Sequence, residues 1–308
     1  MKAMRLHQFG GTDQFVLDEL PSLAPGDHEI LIEVHAAGLN PVDAKIRDGQ
    51  FPRFEPKLPA VIGRDVCGVV AKVGRRVTGW FEGEAVFGML DYERGAYAQQ
   101  TIATERELAR KPSTVDPVHA AALPVAALTA WQGLFEQGKL GRGQRVLIHG
   151  GSGGVGHLAV QFAVHHGAEV IATASTQHLA FVRQLGASKV IDYQRQRFED
   201  EVRDMDVVFS LVAGETLDRS WSVLKKNGLL VSTVGGTPIR PSNAPDGAMG
   251  REVVVQMKTE QLEEIGRLVE MGKVHVHVDR VFALAELKAA HDYMQSAHAP
   301  GKIVVSMS

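Results

Sequence analysis

"LIHGGSGGVGHLAVQ", residues 147–161, admits two chemically incompatible readings. Gly151, Gly153 and Gly156 spell G-x-G-x-x-G, a backbone cradle for a dinucleotide pyrophosphate. Gly150, Ser152 and Gly154 spell G-x-S-x-G, an elbow that presents a nucleophilic serine. Both expect a strand before and a helix after, so the flanks decide. Val155, Leu158, Ala159, Phe162 and Ala163 form one apolar stripe at helical spacing. "EVIATAS" then supplies a second strand at once, completing the ~30-residue βαβ unit that the dinucleotide fingerprint requires. A serine elbow needs an acid and a histidine further along. Asp218 or Asp246 with His275 or His291 can be nominated, but none carries a local signal, and the dinucleotide reading prevails.

Working outward, strands alternate with helices from Pro124 to about Gln256. The order is "RVLIH", a helix from Val155, "EVIAT", a helix around "QHLAFVRQLG", "KVID", "DVVFSLV", a helix around "ETLDRSWSVLKKNG", then "LLVSTVG". This alternation predicts right-handed crossovers and an α/β, doubly wound parallel sheet over 124–256. Residues 1–123 read differently, as short β runs such as "EILIEVHAAGL", "VCGVVAKVG" and "EAVFGML" between Gly/Pro-rich turns. Residues 257–308 are mixed: an amphipathic helix "TEQLEEIGRLVEMG", a strand "KVHVHVDRVF", a helix "LAELKAAHDYMQSA" and a final strand "KIVVSM".

Composition limits the partners. The 308 residues are 44% hydrophobic and 22% charged, with a formal net charge of -3. That balance suits a globular protein with small-molecule partners and gives no long-range attraction to nucleic acid or anionic membrane. The start "MKAMRLHQFG" lacks the apolar core of a signal peptide, and no stretch approaches the roughly 18 apolar residues of a spanning helix. A cytoplasmic location follows as the expectation. Cys67 is the sole cysteine, which excludes an intramolecular disulfide and a several-thiolate zinc site. His275, His277 and Asp279 share one face of the expected strand "HVHVD", a spacing compatible with a metal. With no further ligand set in view, a solvated face is the better reading.

After "EVIATAS", the place where NAD sites hold a carboxylate for the ribose hydroxyl carries "TQH" instead. Ser175 and Thr176 offer hydroxyls to a 2'-phosphate, and His178 or Arg183 offers positive charge. The same Ser and Thr also suit the cap of the next helix.

The chain resembles the zinc-independent medium-chain dehydrogenase/reductase superfamily, in its quinone oxidoreductase and enone (2-alkenal) reductase branch. The matching stretches are "AAGLNPVDAKIRDG", "LPAVIGRDVCGVVAKVG", "GAYAQQTIA", "AALPVAALTAWQGL", the glycine segment with its flanks, "QLGASKVIDY" and "GKIVVS". They cover nearly the full length. The resemblance implies a split, mostly β, GroES-like catalytic domain built from 1–123 and 257–308 around a Rossmann domain. It also implies NADPH as cofactor, a quinone or enone as substrate, no catalytic metal, and a homodimer joined at a sheet edge near "GLLVSTVGG". Zinc-dependent cousins carry Cys where Asn40 stands, and His-Glu where Arg64-Asp65 stand. By the same resemblance Asn40 lies near the nicotinamide and Lys45 faces the acceptor oxygen, with Asp43 orienting Lys45 or capping a helix after Pro41. Tyr92 and Tyr97 are candidate proton donors, Tyr97 reading better as packing. The implied nucleotide set is Asn40, Thr129, Gly151, Ser152, Gly153, Gly154, Val155, Gly156, Ser175, Thr176, His178, Tyr193, Val212, Gly235 and Lys302. An enoyl-thioester reductase of the same fold, or an NADPH-binding protein without turnover, is the alternative.

Overall fold

Runs of Val, Ile and Ala broken by glycine and proline set eight strands in the first 110 residues: β1 (Lys2–Leu6), β2 (Phe15–Glu19), β3 (Ile30–Gly38), β4 (Ala60–Val61), β5 (Asp65–Val73), β6 (Ala85–Met89), β7 (Gln100–Ala103) and β8 (Leu108–Arg110). The structure, a computed structural model, describes residues 1–234, 236–296 and 299–307. Helix α1 (Pro41–Arg47) begins at Asn40, with proline in the first turn and the Asp43 carboxylate accepting from the Asn40 amide at 2.8 Å. Two helices, α2 (Pro117–Ala121) and α3 (Pro124–Trp131), lead out of this region.

Six strands follow: β9 (Arg145–His149), β10 (Glu169–Ala174), β11 (Lys189–Asp192), β12 (Met205–Ser210), β13 (Leu224–Ser232) and β14 (Met249–Glu252). They form one sheet in the order β11-β10-β9-β12-β13-β14, every adjacent pair parallel. Succession turns back at β9, which lies between β10 and β12. In open parallel sheets this switch point marks the ligand crevice beyond the carboxyl ends. Helix α4 (Gly156–His166) follows β9 and buries Leu158, Ala159, Phe162 and Ala163 as its stripe requires. Helices α5 (Leu179–Gln184), α6 (Phe198–Glu201) and α7 (Glu215–Arg219) complete the crossovers.

The chain ends with α8 (Thr259–Glu270), β15 (Val278–Ala283), α9 (Leu287–Ser296) and β16 (Lys302–Ser306). These strands join the early ones in the order β15-β16-β3-β5-β6-β8, with β7 also on β3, while β2-β1-β4 forms a separate small sheet. Two compact units result. The β-rich unit comprises Met1–Val125, Met257–Gly272 and Val276–Ser308; the parallel-sheet unit comprises Ala126–Gln256 and Lys273–His275. Two glutamines explain the chain's attachment at the latter unit's late segments. Gln132 Nε2 donates to the Gln256 carbonyl at 2.7 Å while its Oε1 accepts from the Gln256 amide. Gln161 clamps His275 in the same reciprocal way.

Three sequence expectations are corrected. The helix around residues 215–228 stops at Arg219 and a 3-10 turn, because Leu224 already pairs with Met205 as the start of β13. The strand expected over 273–282 begins only at Val278, since the backbone at His275 is engaged by Gln161. The face shared by His275, His277 and Asp279 therefore does not form. "GLLVSTVGG" is not at the sheet edge: β13 lies between β12 and β14, and β14 is the edge.

Candidate functional site

At the carboxyl end of β9 the chain turns through Gly150, whose φ of +79° lies in the left-handed region. A Cβ on Gly156 would stand 2.0 Å from the Gly150 carbonyl oxygen, so this position admits no side chain. Gly153 differs, because a Cβ there would meet nothing nearer than 3.6 Å. Gly151 donates its amide to the Thr173 carbonyl on β10, while Gly153 and His157 donate theirs within the segment, to Gly150 and Gly153. Those of Ser152, Gly154, Val155 and Gly156 have no acceptor among the described residues. Open N–H groups at the start of an eleven-residue helix make a seat for an anion.

The loop is braced from beneath by His149, which is 1% exposed. Ser220 donates its hydroxyl to the Thr216 carbonyl at 2.6 Å, so its oxygen accepts from His149 Nε2 at 3.1 Å. That leaves His149 Nδ1 to accept from the Thr173 hydroxyl at 3.3 Å, whose oxygen in turn accepts from the Gly150 amide at 3.2 Å. The ring is thus neutral with one tautomer. Burial, helped by the Arg219 charge, pushes its pKa down to about 3.

Beyond β10 lies Ser175, 5% exposed, whose Oγ has no hydrogen-bond partner. The Thr176 hydroxyl donates to Asp192 Oδ2 at 2.6 Å, and Gln194 donates its amide to Asp192 Oδ1. Asp192 pairs in register with Ala174, so a carboxylate stands one strand over from Ser175. Sequence reading passed over it inside "KVIDY", where only strand pairing reveals its place. His178 is half-buried with its Nε2 3.2 Å from Gln177 Nε2, and Tyr193 and Val212 are exposed. Thr129 is buried in α3. Gly235 lies outside the described residues.

In the β-rich unit Asn40 is buried, donating from Nδ2 to Asp65 Oδ2 at 2.9 Å and accepting on Oδ1 from Lys302 Nζ at 2.6 Å. Lys302 also donates to the Leu39 carbonyl and to Asp65, so its three protons are all engaged. Asp65 Oδ1 accepts from the Val125 amide. Asp43 accepts from the Asn40 amide and from the Tyr97 hydroxyl at 2.7 Å, which makes Asp43 a cap and Tyr97 a buried donor to it. Burial pushes the Asp43 carboxyl up to about 6 and, with Asp43 itself, holds the Tyr97 hydroxyl well above its usual range. Lys45 is exposed on α1, and its amine meets no partner among the described residues. Tyr92 is half-buried.

A six-stranded parallel sheet with an open glycine loop, in a chain that also folds a β-rich unit containing its last strand, defines a dinucleotide-dependent dehydrogenase or reductase class. Residues 26–113 match the family described as "Alcohol dehydrogenase GroES-like domain", and residues 185–305 the one described as "Zinc-binding dehydrogenase". The chain is 37% identical to an Arabidopsis thaliana protein named "NADPH-dependent alkenal/one oxidoreductase, chloroplastic", over 99% of this chain and 79% of that one. It is 36% identical to the "2-methylene-furan-3-one reductase" of Solanum lycopersicum, with the same coverage. Among solved structures, the quinone oxidoreductase from Coxiella burnetii superposes with a TM-score of 0.90 at 32% identity, covering 100% of this chain and 99% of that one. The chain belongs to the medium-chain dehydrogenase/reductase superfamily, in its quinone oxidoreductase and enone reductase branch.

The zinc in one family description finds no fitting donors. Burial pushes the Cys67 thiol up to about 12, Asp65 is engaged by Asn40, Lys302 and Val125, and no group of three or more metal-ligating side chains occurs among the described residues.

Proposed function

We propose that the chain transfers hydride from NADPH to quinones or to α,β-unsaturated carbonyls. The observation that carries the nucleotide half is Ser175 Oγ, a buried hydroxyl without a partner at the end of β10, where this sheet architecture reads the adenosine ribose. The relatives named for NADPH-dependent alkenal and enone reduction support the acceptor half. When bound, the nicotinamide supplies the hydride.

The chain's residues then have these tasks. The open amides of Ser152, Gly154, Val155 and Gly156 hold the pyrophosphate. Ser175 donates to the 2'-phosphate, with Thr176, His178 and Tyr193 around it. Hydrogen bonds from Thr176 and Gln194 to Asp192 temper the repulsion a bare carboxylate would exert there. Asn40 retains one Nδ2 hydrogen with which to orient the nicotinamide end. Lys45 is kept as a solvent-facing cation whose charge polarises the acceptor oxygen without being its sole contact. Thr129, Val212, Gly235 and Lys302 complete the nucleotide surroundings in this proposal.

A homodimer built on β14 goes with this reading. That edge strand carries Met249, 50% exposed, with Val254 exposed just beyond it, and such an edge favours pairing. Sedimentation is expected to give twice the chain's mass; a monomer at micromolar concentration refutes the pairing.

Quinones, enals, enones and crotonyl thioester assayed with NADPH at 340 nm test the reaction. Oxidation with quinone or enone is expected. Silence with every acceptor sinks the reading, and preference for the thioester replaces it with an enoyl-thioester reductase.

A further inference from the structure

Among the described residues, Arg64 is the one buried cation of the β-rich unit whose charge meets so little. Its side chain is 6% exposed, yet no carboxylate among the described residues pairs with it. Its Nε donates to the Leu90 carbonyl at 2.9 Å, its guanidinium carbon lies 3.9 Å from the centre of the Tyr92 ring, and its Nη1 is buried without a hydrogen-bond partner. The other buried arginine among the described residues is not left so: Arg47 holds Asp48 and donates to Gly10 and Gln295. A desolvated guanidinium with an idle donor is costly to keep unless something occupies that donor during function.

The surroundings indicate what shape that something has. Tyr92 is in ring contact with Phe51 at 5.1 Å and with Phe54 at 5.6 Å. Both phenylalanines line a cavity of about 410 Å³ formed by residues 49–55. Arg64 therefore stands at one end of an aromatic wall, next in sequence to Asp65 and its bond to Asn40. Flat, conjugated molecules stack on such a wall, and a fork of N–H donors recognises an oxygen that carries negative charge.

We propose that Arg64 Nη1 binds the carbonyl or quinone oxygen of the acceptor, and holds the oxyanion formed there when hydride adds to the conjugated system. Rested on the reductase reading, the balance is complete: hydride and its electron pair come from NADPH, the carbon-hydrogen bond forms at the acceptor, and the displaced π pair moves onto the oxygen. A proton from water then neutralises it. Tyr92 is the positioning residue, fixing the guanidinium plane.

Cinnamate and cinnamamide, matched in shape and differing in charge, test the site by competition against an enone and by direct calorimetric binding to the NADPH complex. Wild type is expected to bind cinnamate the more tightly, by about tenfold or more. Arg64→Gln should lose that preference while binding cinnamamide within about twofold of wild type. Its kcat for enones should fall at least about tenfold, with NADPH affinity, followed by nucleotide fluorescence, unchanged. Equal binding of the two probes by wild type, or a preference that survives in Arg64→Gln, overturns the proposal; the first of these needs no variant to fold. Arg64→Lys keeps charge but not the fork, and should recover the cinnamate preference only in part. Charge-selective binding through Arg64 in a protein that reduces neither quinones nor enones would retain the anion site and remove the reductase reading instead.

Discussion

The two units handle buried polarity in opposite ways. In the β-rich unit, Asn40, Asp65 and Lys302 answer one another, the lysine giving all three protons and the aspartate receiving on both oxygens. At the glycine loop of the parallel-sheet unit, four amides and the Ser175 hydroxyl are left open. Closure fixes geometry, because a satisfied low-dielectric network holds its members in place and leaves a guest only what is spare, here one Asn40 Nδ2 hydrogen. Openness marks a site, because unpaired donors lower the free energy of whatever fills them. The β-rich unit has exceptions of its own, Asp43 Oδ1, Arg94 Nε and His291 Nε2 among them, and Arg64 is the instructive one, a buried cation next in sequence to the closed network with one donor idle.

Breaking the closed network gives the largest expected effect. Asp65→Ala leaves Lys302 charged and buried without its carboxylate, costing roughly 3 to 5 kcal/mol. Urea unfolding of wild type and variant measures it. A loss below about 1 kcal/mol would show that the Leu39 and Asn40 oxygens suffice and that the ion pair is not what holds the lysine.

Acid sharpens the contrast next. An unfolded histidine titrates near 6.5 and folded His149 near 3, so the native state binds fewer protons and stability is complete above pH 6.5 and lost as pH falls toward 3. At pH 5 the loss is roughly 2 kcal/mol. In the β-rich unit, His291, buried against Phe15 and Tyr97, also titrates near 3 and acts in the same direction. Asp43 opposes it there, because a carboxyl raised from 3.8 to about 6 favours the native state in acid, an advantage lost as pH rises through that window. The parallel-sheet unit should therefore open first between pH 7 and 5. Hydrogen exchange in mild urea at the two pH values resolves the units. Earlier loss of protection in the β-rich unit, or an unchanged pH slope in His149→Gln, would defeat this account.

The parallel sheet was legible because β-branched runs alternate with helical stretches around a loop whose glycines have separate steric duties. The closed network was not. Lys302 and Asp65 are 237 residues apart, and nothing local in "GKIVVS" announces a buried lysine. His149 sits inside the quoted loop, yet its role depends on Thr173 and Ser220, contributed by other elements. The helix expected around 215–228 follows from the strand-helix alternation, and strand pairing at Leu224 ends it early. Asn40 was singled out from its motif, but its bonds to Asp65 and Lys302 needed the fold.

The smallest effect tests the open side. Ser175→Ala removes a hydroxyl that bonds to nothing in the free protein, so unfolding free energy should change by less than about 0.5 kcal/mol. If that hydroxyl donates to the 2'-phosphate, NADPH affinity should fall by roughly 0.5 to 1.5 kcal/mol, about two- to twelvefold, while NADH affinity stays level. Gly153→Ala is the steric companion, since a methyl there clears the protein by 3.6 Å. It should weaken both nucleotides alike, because a methyl facing the pyrophosphate cannot sense the ribose. Fluorescence titration of the two variants with the two nucleotides separates the cases. Equal losses of NADPH and NADH in Ser175→Ala would move Ser175 from reading the phosphate to shaping the loop. A stabilised variant with unchanged NADPH binding would mean that the open hydroxyl is a defect of packing, and that open polarity does not mark the site in this unit.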